Sequence, residues 1–491
     1  MPANKNRESK PLPLLLERWR STLETRNGDP AIYAPNREVL RTFSDIEAES
    51  AGFENQLVAY PPLSVAAIQI GNHPSWPALL LACLRLQVIP LPLGRHIEAG
   101  ERSAALKTCG AACLLEAVQN GIVVSNADIS ALVGTPRRGV RGRLGEPSLP
   151  EPPPKFLKLT SGTTAAPRAI SFQTRQLVAD CDNICDTMGI TSSDLNFGVI
   201  PFSHSYGFSN LITPLLCRGV PLAASEDRLP RAILSDLCRT GATVFPGMPV
   251  FYQAFEKMEE IPALPFLRLC VSAGAPLSQC TGRDFTEKFH LKIHSFYGAS
   301  ECGGIAYDAS ESPDYEDHFV GQPMRNVRVT LLDDADPSLI KVTSAAVGDG
   351  YFPVPDPSSL GRGHFFPSDL IQRSERGMSL AGRVSDIINV AGRKLNPMEV
   401  EARLASFPGV RQAVVFGAPS TLRNEEAIAC VAADASFPVA DLLRYCHSVL
   451  SAWQVPKDVW LVDQIPSNDR GKISRRDLAR LYAGKRKSED G

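Results

Sequence analysis

Apolar and polar positions in this chain switch repeatedly between strand-like runs and helical spacing. Residues 64–70, Ser-Val-Ala-Ala-Ile-Gln-Ile, form a short apolar run of strand length. Residues 73–86 then carry apolar positions at helical intervals, and residues 88–91 form a second short run. Strand, helix and strand in that order predict a βαβ unit. The alternation returns downstream. Residues 195–200, 220–223, 243–245 and 267–272 read as strands, with a helix beginning near Tyr206. Strands alternating with helices over roughly 300 residues imply α/β layers with mostly parallel sheets. Ligands of such sheets gather at the carboxyl ends of the strands.

The character changes near Gly382. Residues 393–401 are expected to open a helix, 410–416 and 427–432 to form strands, 439–450 a helix and 459–462 a last strand. This is a compact α+β module of roughly 110 residues, an ordinary small-domain size. The expected organisation is therefore a large N-terminal α/β domain, residues 1–382, and a small mobile α+β C-terminal domain, residues 383–491. The boundary is expected between Ala381 and Asp386.

Composition narrows the function without defining it. A chain of 491 residues is too long for one core. Its 44% hydrophobic and 21% charged content is that of a globular protein, and a net charge of -2 argues against a general nucleic-acid or membrane-surface binder. The basic clusters at 137–143 and 485–487 read as solvated surface. The polar N-terminus has no signal-like apolar core, and the run at 12–16 is far short of a membrane span. The 12 cysteines show no metal-like spacing, so reduced thiols in a cytoplasmic protein are expected.

The chemistry is concentrated in short segments. Leu159-Thr160-Ser161-Gly162-Thr163-Thr164-Ala165-Ala166-Pro167-Arg168 lines up hydroxyls, glycine and a cation. Hydroxyls and backbone N–H groups donate, Gly admits close approach and Arg adds charge, so the loop suits a polyphosphate. Phe296-Tyr297-Gly298-Ala299-Ser300-Glu301-Cys302-Gly303-Gly304 delivers one acid between glycines. A carboxylate there suits Mg²⁺ on a nucleotide, although a solvated Glu in a turn is an equal reading of that segment alone. Pro367-Ser368-Asp369-Leu370-Ile371 places an acid that accepts from ribose hydroxyls in dinucleotide sites; read alone, a cap or turn is the simpler account. A long segment runs from Ala381-Gly382-Arg383 through Ser385-Asp386 and Ala391-Gly392-Arg393 to Glu401. The last is Ile465-Pro466 to Gly471-Lys472-Ile473-Ser474-Arg475-Arg476. A Walker loop is excluded, because Pro466 stands where it needs Gly and Ile473 follows Lys472. A serine-hydrolase elbow fails because Cys302 stands where it needs Gly.

In this order and spacing the segments resemble the adenylate-forming superfamily, which includes acyl- and aryl-CoA synthetases, nonribosomal-peptide adenylation domains and firefly luciferase. The resemblance covers nearly the whole chain, including Thr42-Phe43 to Glu47 and Val320-Gly321-Gln322-Pro323. It implies ATP-dependent activation of a fatty or aromatic carboxylic acid to an acyl-adenylate, then transfer to the thiol of CoA or of carrier-protein phosphopantetheine. It implies that Lys472 is the catalytic lysine, that Thr160, Ser161, Gly162, Thr163 and Thr164 cradle phosphates with Arg168 beside them, and that Glu301 holds Mg²⁺. Ser300 keeps the hydroxyl of the usual Thr beside Gly298. Asp369 and Arg383 would bind ribose, and Tyr297 would stack on adenine opposite Gly274-Ala275-Pro276. His204 would stand beside the substrate carboxylate, and Gly392 would line a thiol tunnel opened by rotation of the C-terminal domain.

The chain departs from the family pattern in places. Ala165 and Arg168 stand where Gly and Lys are usual; Arg keeps the charge with different geometry. Ser385 replaces the usual charged hinge residue. Two further readings follow from these departures, a binding protein without turnover and an adenylating enzyme without thiolation; retained Lys472, Glu301 and Asp369 oppose the first.

Overall fold

The computed structural model describes residues 12–119, 121–127, 149–160, 167–420, 424–466 and 473–489. Its largest sheet has a parallel core. Strands Pro30–Tyr33, Leu222–Ala224, Asn196–Gly198, Val244–Gly247, Leu269–Ser272 and Ile293–Ala299 lie side by side in that order, every pairing parallel. Val244–Gly247 and Leu269–Ser272 are buried at every position. That explains their unbroken apolar runs, since a strand covered on both faces need not alternate.

Beyond Phe296 the same sheet continues antiparallel, through Gly303–Tyr307, Phe319–Pro323, Met378–Arg383 and Asp369–Arg373. The switch lies in Ile293–Ala299, which pairs parallel on one side and antiparallel on the other. The acid loop is the turn of that antiparallel hairpin.

The expected βαβ unit is present. Val65–Gln69 runs parallel to Ile89–Pro92, and the crossover helix Trp76–Leu86 is buried continuously from Trp76 to Leu84. A three-stranded sheet carries Phe156–Thr160, Arg168–Phe172 and Gly350–Phe352, the first two forming the hairpin that brackets residues 161–166. The helix expected near Tyr206 is interrupted. A short turn Ser205–Gly207 leads into a π-helical segment Phe208–Ile212 and then Thr213–Arg218. Such widened turns occur often at functional sites. Gly207 is required here, because a Cβ would lie 2.2 Å from the Pro201 carbonyl oxygen.

Met378–Arg383 belongs to the large sheet, whereas Ile388–Val390 belongs to a separate five-stranded sheet; the 3-10 turn Val384–Asp386 joins them. The small sheet also holds Arg393–Leu395, Gln412–Ser420, Asn424–Ala432 and Asp458–Val462. Its two hydrophobic clusters, around Val400 and Phe416, lie entirely within residues 388–482. One expectation is corrected here. Residues 393–395 are a strand, and the helix is Pro397–Ala405. Ala391 and Gly392 take positive φ and reverse the chain into a hairpin. Pro397 then starts the helix, where its missing N–H costs nothing, and the Asn396 side chain caps it by accepting from Met398 N–H. Among the described residues no helix is long and apolar enough to cross a membrane. The 12 cysteines are free thiols.

Candidate active site

Three strands of the antiparallel half build one polar cluster, two of them neighbours and the third separated from that pair by two intervening strands. Tyr297 comes from Ile293–Ala299, Asp369 opens Asp369–Arg373, and Arg383 closes Met378–Arg383 directly opposite Asp369. Tyr297 Oη donates to Asp369 Oδ2 at 2.6 Å, and Arg383 Nε donates to Asp369 Oδ1 at 2.6 Å. Burial, reinforced by the Asp369 charge, pushes the Tyr297 phenol well above its ordinary pKa, so it stays a donor. For Arg383, burial pulls the other way, but the Asp369 carboxylate outweighs it and raises the guanidinium further. Gly274, at φ +88°, begins the exposed Gly274-Ala275-Pro276 loop just after Leu269–Ser272. That strand is the parallel neighbour of the one bearing Tyr297, so both end at the same sheet edge.

The acid loop and the hairpin around 161–166 meet through Tyr351. Thr160 and Arg168 face each other where the hairpin opens, with Thr160 Oγ1 donating to the Arg168 carbonyl at 3.2 Å. The Arg168 guanidinium lies over the Tyr351 ring, 4.2 Å from its centroid. Tyr351 Oη donates to Glu301 Oε1 at 3.0 Å, and Gly348 N–H donates to the Glu301 carbonyl at 2.9 Å. Ser300 is tied to the segment bearing His204, because Ser205 Oγ donates to Ser300 Oγ at 2.8 Å. His204 caps the short turn, its Nδ1 accepting from Tyr206 N–H. Tyr206 stacks on Phe296 at 5.7 Å and donates to the Val271 carbonyl, giving this wall an apolar surface. At Gly298 a Cβ would lie 2.8 Å from the Gly303 carbonyl oxygen, so the hairpin needs glycine there.

The structure thus gathers Thr160, Arg168, His204, Ser300 and Glu301 in one linked set, and Tyr297, Asp369 and Arg383 in another, joined by the Tyr297–Glu301 stretch of chain. Gly392 lies elsewhere, in the exposed turn of the small sheet, its N–H donating to Asn389 Oδ1. Ser161, Gly162, Thr163, Thr164 and Lys472 lie outside the described residues. Among the described residues no group of three or more His, Cys, Asp or Glu side chains converges on a metal position. A single carboxylate such as Glu301 is nevertheless the donor that Mg²⁺ on a nucleotide uses, since phosphate oxygens and water fill its remaining positions.

Sequence reasoning missed several contributors. Lys158, on the same strand face as Thr160, is 5% exposed, and its ammonium lies over Phe172 and Phe208 at 4.8 and 5.4 Å. Burial lowers its pKa, against the charges of Asp180, Cys302 and Glu301. Asp180, 4% exposed, accepts from Gly304 N–H at 2.9 Å and Ser209 Oγ at 2.6 Å. The visible signal was a lysine inside the apolar run Phe156-Leu157-Lys158-Leu159. At the start of the helix Arg475–Glu489, Arg475 donates to Asp386 at 2.7 Å, to both oxygens of buried Glu401 at 2.7 and 2.9 Å, and to the Val415 carbonyl at 2.9 Å. It pins the chain just after Lys472 to the turn Val384–Asp386.

Comparison with known proteins identifies the family and the fold. The long-chain-fatty-acid–CoA ligase of Escherichia coli O157:H7 is 26% identical over 364 residues, which are 71% of this chain and 65% of that protein's length. The oxalate–CoA ligase of Arabidopsis thaliana is 26% identical over 411 residues, covering 79% of this chain and 78% of the relative. ATP-bound MatB from Rhodopseudomonas palustris superposes with a TM-score of 0.81 at 22% identity, over 95% of this chain and 98% of that one. The o-succinylbenzoate CoA synthetase of Bacillus subtilis superposes at 0.78 with 21% identity, over 94% and 97%. The AMP-binding enzyme family matches residues 19–348 and its C-terminal domain family residues 399–472. With two thirds of its length inside the first of these patterns and the second following in order, the chain belongs to the AMP-binding enzymes of the adenylate-forming superfamily.

Proposed function

We propose that this chain is an acid–thiol ligase that activates a carboxylic acid with ATP and passes the acyl group to CoA. The observation that carries this reading is the Tyr297–Asp369–Arg383 cluster, linked through the Tyr297–Glu301 segment to the Arg168–Tyr351–Glu301 set. One end suits a nucleoside and the other a polyphosphate. Asp369 has acceptor capacity beyond its two donors, which two ribose hydroxyls can use. Tyr297, held by its hydroxyl, and Gly274-Ala275-Pro276 provide walls for a base. Thr160 and the loop after it, with Arg168, take the phosphates. Glu301 would hold Mg²⁺, which neutralises phosphate charge when bound.

In the first half-reaction a carboxylate oxygen attacks the α-phosphorus in line and the bond to pyrophosphate breaks. Two anions must meet, so positive charge beside the attacking oxygen is the main requirement. Lys472 supplies it, and His204 orients the acid. In the second, the CoA thiol, losing its proton, attacks the acyl carbon and AMP departs. We assign residues 1–382 and 383–491 to two domains, with the turn Val384–Asp386 as the pivot that exchanges Lys472 for the Gly392 turn. The stacked Tyr206 and Phe296 support an apolar acid, fatty or aromatic, and the family relatives include ligases of both a long-chain fatty acid and a ferulic acid.

The test is exchange of labelled pyrophosphate into ATP across a panel of carboxylic acids. Exchange is expected with an apolar acid, and Lys472→Ala should lower it at least about a hundredfold, the scale of removing a charge from a transition state. No exchange with any acid, or unchanged rates in Lys472→Ala, overturns the reading. Acyl-CoA formation, against loading of a carrier protein, identifies the acceptor.

A further inference from the structure

Arg168 stands where the family usually has lysine, and the structure sets its guanidinium against an aromatic ring. Strands Arg168–Phe172 and Gly350–Phe352 pair antiparallel, with Tyr351 opposite Ile170. This brings the Tyr351 ring under the exposed Arg168 side chain, 4.2 Å from the guanidinium carbon. The same ring is anchored from its other end. Its hydroxyl donates to Glu301, and the residue is only 7% exposed. One buried tyrosine therefore touches both the cation at the end of the phosphate loop and the acid of the acid loop.

A planar guanidinium and an ammonium use such a ring differently. A guanidinium stacks flat and keeps its N–H donors in its own plane, directed past the ring edge toward a bidentate acceptor. An ammonium is a hydrated point charge without that preset fork. We propose that Tyr351 is a positioning residue that docks Arg168 for the nucleotide's outer phosphates. The inference rests on the ATP reading above and extends it to a residue that does not itself touch the nucleotide.

The test is equilibrium ATP binding by calorimetry, with no acid present, on wild type, R168K, Y351L, Y351F and R168K/Y351L, with the thermal midpoint of each. R168K and Y351L are each expected to weaken ATP by about fivefold or more, the scale of one cation–ring contact. The double variant should be no weaker than the weaker single, because both remove the same docked cation. Y351F keeps the ring and should stay within about twofold of wild type. In turnover, the KM for ATP should rise in R168K and Y351L while the KM for the acid holds. Additive losses, or Y351F as weak as Y351L, overturn the proposal. R168K alters only an exposed side chain, so it decides the matter even if Y351L does not fold: wild-type ATP affinity in R168K overturns the docking role. Wild-type protein that binds no ATP overturns the nucleotide reading itself, a result separate from any of these.

Discussion

Two buried aspartates hold the two ends of the proposed nucleotide site, and they are satisfied in different ways. Asp369 accepts one hydrogen bond from a phenol and one from a guanidinium whose side chain is 45% exposed. Asp180 accepts from a backbone N–H and a serine hydroxyl, while Lys158, the cation on which its charge acts, is itself enclosed and lies over two phenyl rings. The first arrangement opens toward the place where a nucleoside would sit. The second is sealed, and fixes the acid loop from behind through Gly304. Gly303 shows how closely, since a Cβ there would fall 1.9 Å from Asp180 Oδ1. One aspartate is thus built to meet a ligand and the other to hold the loop that does.

Removing only the charge at each position should separate these roles. Asp180→Asn removes the largest of the negative charges that offset burial of the Lys158 ammonium, and is expected to cost about 1–3 kcal/mol of stability. Lys158→Met in the same background removes that ammonium and should recover a large part of that loss. Denaturant unfolding of the two single variants and the double variant checks this; a double variant less stable than Asp180→Asn would show that the two residues do not act as a pair. Asp369→Asn should cost no more than about 2 kcal/mol of stability, because water reaches Arg383 and screens it. Its larger effect should be on the nucleotide, with the KM for ATP rising about tenfold, the worth of a hydrogen bond to a charged acceptor. Equal KM values for Asp369→Asn and wild type would erase the distinction between a ligand-facing and a scaffolding aspartate.

The parts of this architecture that could be read from sequence are those governed by burial. The βαβ unit and the parallel core strands declared themselves because strands covered on both faces are apolar without interruption. The cluster around Asp369 has no local signature: Tyr297 lies 72 positions before it and Arg383 14 after, and only the sheet's antiparallel turn-back joins them. Those positions were reached through resemblance of motifs, not through periodicity. Lys158 stayed hidden. Its place inside an apolar run was the one local signal, and the rings of Phe172 and Phe208 that enclose it lie 14 and 50 positions away. The strand at 393–395 was missed because the helical pattern that follows begins smoothly, whereas Pro397 and the Asn396 cap, both visible, mark the true start.

A third, half-buried acid provides the control for the comparison. Glu256 ends the helix Pro249–Glu256, and its Oε2 is buried without a hydrogen-bond partner. Burial, followed by the negative charge of Asp284, raises its carboxyl from 4.5 to about 7. The folded state therefore holds a proton that the unfolded chain releases. The resulting stability is fully present below 4.5 and is lost as the pH rises through about 7, the opposite sense to a carboxylate paired with a cation. Solvent screening of this half-buried group reduces the effect, so wild-type protein should lose at most about 1 kcal/mol from it between pH 6 and 8. Glu256→Gln keeps the shape without the titration, so its thermal midpoint should fall less over that interval. An identical pH slope in the two proteins would mean that Glu256 is charged in the folded state, and that a half-buried acid here needs neither the phenol and guanidinium of Asp369 nor the amide and hydroxyl of Asp180 to remain ionised.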